Sequence, residues 1–94
     1  MRRVPDVRTY RLGDKRCIVK VRGDLDRAAV AAVASGAAVI DLLDAQLLDL
    51  DVLDALVAGT DAIFVVGPML RDALEVIALH RPVRTAETLA AALS

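Results

Sequence analysis

Polar and apolar positions along the chain alternate with two different periods, and the period changes often enough to suggest many short elements. Residues 7–12 and 16–22 read as two strands joined around Gly13-Asp14, with Cys17, Val19 and Val21 alternating against Lys20 and Arg22. That period of two describes a half-buried hairpin near a sheet edge.

After "RGDLD", Asp26 is placed to cap a short helix over "RAAVAAVAS", and Gly36 to end it in a left-handed conformation. The apolar runs "AAVIDLL" (37–43) and "AIFVV" (62–66) are too short for buried helices and read as central parallel strands covered on both faces. Between them, Leu50, Leu53, Leu56 and Val57 fall on one stripe of a helix that starts near Asp49 and stops at Gly59. A further helix opens at Pro68, with Leu70, Ala73, Leu74 and Ile77 on its apolar face. "PVRT" makes a last short strand, and Thr85 is placed to cap the terminal "AETLAAAL". The order β-β-α-β-α-β-α-β-α predicts one α/β domain over residues 1–94, a mixed sheet covered by helices.

Charge adds a polarity to this plan. Residues 1 to 27 hold nine Arg or Lys against four Asp, whereas residues 28 to 62 hold six Asp and no base. A basic beginning and an acidic middle face follow. The basic residues are interrupted by aspartates and apolar positions, which describes the solvated side of two strands, and one Phe, one Tyr and no Trp leave few platforms for stacking bases. Nucleic-acid binding is not expected.

Other classes fall for want of residues. A single cysteine, Cys17, allows no internal disulfide and reads as a small apolar side chain; with His80 alone it leaves no zinc set, so no metal or cofactor is expected. No apolar run reaches the roughly 18 residues of a spanning helix, so a cytoplasmic protein without membrane insertion is expected. Ser35, Thr60 and His80 have no triad spacing, and His80 before Arg81-Pro82 reads as part of a helix end.

The segments "VKVRGDLD", "AVIDLLDAQLLDLDVLDALV", "IFVVGPMLRDALEVIAL" and "VRTAETLAAAL" resemble, in order and spacing, the STAS domain of bacterial anti-sigma factor antagonists. The resemblance implies a non-catalytic domain that regulates transcription through a protein partner, an anti-sigma factor of the serine-kinase type. It also implies a serine or threonine at the start of the helix after the third strand, phosphorylated by that partner. Here the matching positions read Asp49-Leu50-Asp51-Val52-Leu53, so the hydroxyl that a kinase needs is missing and Asp51 stands at the phosphosite-equivalent position. A carboxylate there carries less charge and fewer acceptor oxygens than a phosphoserine.

The expected partner-binding residues lie on three strand-to-helix turns: Asp24 and Asp26 on a "GDLD" loop, Asp49, Leu50, Asp51 and Val52 at the acidic helix start, and Gly67 with Pro68. Such turns emerge beyond the carboxyl ends of parallel strands and so are expected to converge. Helix chemistry competes with binding as the reason for the aspartates, since acids in a first turn favour the macrodipole and Asp49 suits an N-cap. Three further readings stay open. Similar STAS proteins serve as structural subunits on the ATPase of lipid-transporting ABC complexes, and a homodimer is compatible with either role. "DLDVL" also resembles the D-x-D opening of haloacid-dehalogenase phosphotransferases, but Lys15 and Lys20 both precede it, so the lysine that chemistry needs later in the chain is absent.

Overall fold

A computed structural model describes residues 4–13, 16–33 and 36–94. Its elements run β1 (Asp6–Leu12), β2 (Arg16–Leu25), α1 (Arg27–Ala32), β3 (Val39–Leu47), α2 (Leu50–Ala58), β4 (Ile63–Val65), α3 (Pro68–Ile77), β5 (Arg84–Ala86) and α4 (Leu89–Leu93). The order is the one the sequence predicts. The five strands form one sheet in the order β1-β2-β3-β4-β5. The β1–β2 pair is antiparallel, from Asp6↔Arg22 to Leu12↔Arg16, and every other pair is parallel. Gly13 opens the hairpin with φ of 67°, a conformation that side chains disfavour; Asp14 lies outside the described residues.

The two faces of the sheet are covered unequally. Val19, Val21, Ile40, Leu42 and Phe64 point to one face, where Ala29, Leu53, Leu56, Leu70, Leu74 and Ile77 of α1, α2 and α3 complete the main core. On the other face, among the described residues, only α4 packs, setting Ala92 against Ile18, Val39 and Val65. The expectation that the central strands are covered on both faces therefore holds for part of their length. Beyond α4, Tyr10, Leu12 and Leu43 are each about half exposed.

Several expected boundaries move, each for a packing reason. α1 stops at Ala32, with Val33 already extended at ψ of 128°, so Gly36 does not end it and is not left-handed. A six-residue alanine-rich helix buries only Ala29 fully, too little apolar surface to hold another turn. β3 continues past the apolar run to Leu47 because β2 runs on beside it as far as Leu25. On α2, Val52 is buried and Leu50 is 41% exposed, the reverse of the expected stripe at that end. Thr85 lies inside β5, and it is Thr88 that caps α4, accepting the N–H of Ala91 at 3.1 Å.

Candidate functional site

The carboxyl ends of β2 and β3 extend together as a two-stranded tongue, with Leu25 paired to Leu47. A register shift between Lys20 and Arg22 bends this pair, and Gly23 follows with φ of 81°. Each strand then turns into a capped helix. The Asp26 carboxylate accepts the N–H of Ala29 at 2.9 Å and starts α1; the Asp49 carboxylate accepts the N–H of Asp51 at 2.9 Å and starts α2. Both aspartates satisfy amide groups that a helix start would otherwise leave unpaired.

Asp51 has a different environment. It sits in the first turn of α2, is exposed, and forms no ion pair among the described residues. The neighbouring turn exposes two leucines, Leu48 at 56% and Leu50 at 41%. This end of the molecule thus presents a carboxylate beside apolar side chains. Across from it, on the first turn of α1, is Arg27. No motif marks Arg27 in the sequence; only the packing of α1 beside α2 brings it here.

Not all the expected site residues share this place. Asp24 is not on a loop: Gly23, Asp24 and Leu25 belong to β2, and Asp24 is 3% exposed. Gly67 and Pro68 also sit apart. β4 ends with Val65 opposite Asp41, six positions before Leu47, and at strand rise that is about 20 Å along the sheet. The turn into α3 therefore emerges well below the starts of α1 and α2. The paired ends of β2 and β3 bring the turns of Asp26 and Asp49 to one end of the sheet, whereas the shorter β4 starts the turn of Gly67 and Pro68 nearer its middle.

Asp54, one turn after Asp51, is tied down. Arg81 Nε donates to its Oδ1 at 2.8 Å, and His80 Nε2 lies 3.3 Å from the same oxygen. The Arg81 hydrogen bond holds the Asp54 carboxyl below the ordinary aspartate range; partial burial opposes the shift and His80 adds to it. His80 also donates its N–H to the Ile77 carbonyl at 3.0 Å, within the turn that ends α3, as expected. The clamp between α2 and the end of α3 has no sequence signal, because its partners stand 26 and 27 residues apart. Among the described residues no group of His, Cys, Asp or Glu could hold a metal ion. No helix among them is long and apolar enough to cross a membrane.

A crystal structure of an anti-sigma factor antagonist from Mycobacterium paratuberculosis is similar over 96% of this chain and 92% of that one, with a TM-score of 0.69 and 25% sequence identity. The chain has a STAS-like fold. No protein-family model matches its sequence, and no curated protein does.

Within this STAS-like fold the aspartates at 41, 44, 49, 51 and 54 divide by role. Asp49 caps, Asp54 is clamped, and Asp41 is 4% exposed with its carboxylate accepting the N–H of Leu43 at 3.0 Å. Asp44 lies within 4 Å of both Lys20 and Arg22, at 3.7 and 3.8 Å. Asp51 alone of these five has a carboxylate with neither a hydrogen bond nor a basic partner among the described residues.

Proposed function

We propose that this STAS-like domain is an anti-sigma factor antagonist-like regulator that acts by binding a protein partner, without catalysis and without a serine switch. Its partner is an anti-sigma factor of the serine-kinase type, and the contact face is the paired start of α1 and α2, with Asp26, Asp49, Leu50, Asp51 and Val52. The reading is supported by one observation above the rest: in a fold similar to that of an anti-sigma factor antagonist, Asp51 stands exposed at the start of α2 with no ion-pair partner among the described residues.

The absence of a hydroxyl from residues 49 to 53 means that a serine kinase has no oxygen nucleophile there. Binding is then insensitive to ATP, and Asp51 presents one fixed negative charge to a basic patch. Deeply buried Asp24 supports the β2 end rather than the contact.

The test is affinity capture from a lysate of the source organism with wild type and Asp51→Arg as baits, read by mass spectrometry. An anti-sigma kinase recovered by wild type, retained in the presence of ATP and lost with the variant supports the reading. Capture of a transporter ATPase instead would move the role to a structural subunit. Identical recovery by both baits would show that Asp51 is helix-start chemistry and that the contact face lies elsewhere.

A further inference from the structure

α1 and α2 begin at the same end of the sheet and run side by side, yet they do not close on each other. Arg27, Val30 and Ala31 of α1 and Asp51, Val52 and Ala55 of α2 line a groove of about 200 Å3 between them. Helix surfaces pack by interlocking ridges of side chains with facing grooves, and the methyl groups of Ala31 and Ala55 are too short to interlock. Val30 and Val52 form an apolar floor continuous with the main core, Val52 being 8% exposed. At the mouth Arg27 belongs to one wall and Asp51 to the other, and neither makes an ion pair among the described residues.

We propose that this groove is an anchor pocket for a peptide segment of a protein partner, holding one bulky apolar side chain with a carboxylate set toward Arg27 and a basic side chain toward Asp51. The proposal rests on the reading of this domain as a protein-binding module and adds what the partner must carry. An open apolar slot suits a single side chain, and interfaces concentrate their binding energy in such anchors. The charges at the mouth supply direction. A wholly basic segment would meet Asp51 favourably and Arg27 unfavourably, so the pair selects a segment with both signs flanking the anchor.

The probe is a phage-displayed library of random peptides selected on the full chain, with enriched peptides then titrated into isotopically labelled protein. The expected peptides share an acid, a bulky apolar residue and a base, and they shift the methyl resonances of Val30, Ala31, Val52 and Ala55. Ala55→Phe, which fills the slot, is expected to weaken them by about tenfold or more, the effect of losing an anchor. Ala31→Phe serves the same purpose should Ala55→Phe not fold. The double exchange Arg27→Asp with Asp51→Arg alters only exposed positions; it should reject these peptides and select others with acid and base interchanged.

The proposal is overturned by a library that yields no binder, by binders whose shifts map elsewhere, or by slot-filled variants that bind as wild type does. An anti-sigma factor captured with full strength by Ala55→Phe would remove the anchor pocket and leave the regulator reading intact. Groove-binding peptides without any captured anti-sigma factor would do the reverse.

Discussion

The carboxylate of Asp49 accepts the backbone N–H of Asp51 at 2.9 Å, so two aspartates that look equivalent in the sequence have opposite orientations toward the fold. One closes the end of α2. The other is held in place by that closure and keeps its own carboxylate in solvent. Stability should therefore respond to the first and binding to the second.

Asp49→Ala is expected to cost about 1 kcal/mol, the usual effect of losing a helix cap, with Asp49→Ser recovering most of it because serine also caps. Asp51→Asn removes only a favourable charge near the macrodipole, worth about 0.3 to 1 kcal/mol. Urea unfolding midpoints check the order. A larger loss at Asp51 than at Asp49 would contradict the assignment of roles.

The Asp54 clamp carries a pH signature. Because the folded state holds the Asp54 carboxyl below its ordinary range, its stabilisation is present above the unfolded value and is lost as pH falls through the folded one. Wild type should exceed Asp54→Asn in urea midpoint at neutral pH, and the gap should close in acid below the ordinary carboxylate range. Arg81→Gln should remove most of the same dependence, since Arg81 is the main cause of the shift.

Two glycines separate backbone need from accident. Gly23 has φ of 81°, so Gly23→Ala is expected to destabilise by about 1 to 2 kcal/mol through the left-handed conformation alone. Gly67 has φ of -81° and ψ of -179°, and nothing lies within 4 Å of an added Cβ. Gly67 is also the N-cap of α3, where glycine is preferred to alanine, so Gly67→Ala should stay within about 1 kcal/mol of wild type, the capping loss offsetting the entropy gained in the unfolded chain. Thermal melts should thus show a clear loss for Gly23→Ala and little change for Gly67→Ala.

Phe64 is 1% exposed between the sheet and the helices, and it is the one phenylalanine in an otherwise aliphatic core. Phe64→Ala should cost about 3 to 5 kcal/mol, enough to unfold a large fraction of so small a domain. Chemical denaturation followed by circular dichroism measures it; Phe64→Leu should lose far less.

The order of elements was legible because each depends on local pattern: the alternation of β1 and β2, the apolar runs of β3 and β4, the Pro68 start of α3. The start of α2 was legible for the same reason, since a cap and the first-turn amide it binds are two residues apart. Local pattern alone places "GDLD" on a loop, Gly and Asp being poor strand formers, yet Gly23, Asp24 and Leu25 lie in β2. Its strand state comes from pairing with Ala45, Gln46 and Leu47, far along the chain.

The site shows the same division. By itself the sequence determined that the chain is an α/β domain, that aspartates stand at two helix starts, and that no hydroxyl lies at residues 49 to 53, since these follow from residue identity and local spacing. The tertiary structure decided the rest. Strand register carried Gly67 and Pro68 away from Asp51, burial withdrew Asp24, and the docking of α3 brought Arg81 and His80 to Asp54. The meeting of α1 with α2 set Arg27 across a groove from Asp51. Each is a contact between distant positions, whose geometry is set by how a shared core packs and not by any pattern within one element.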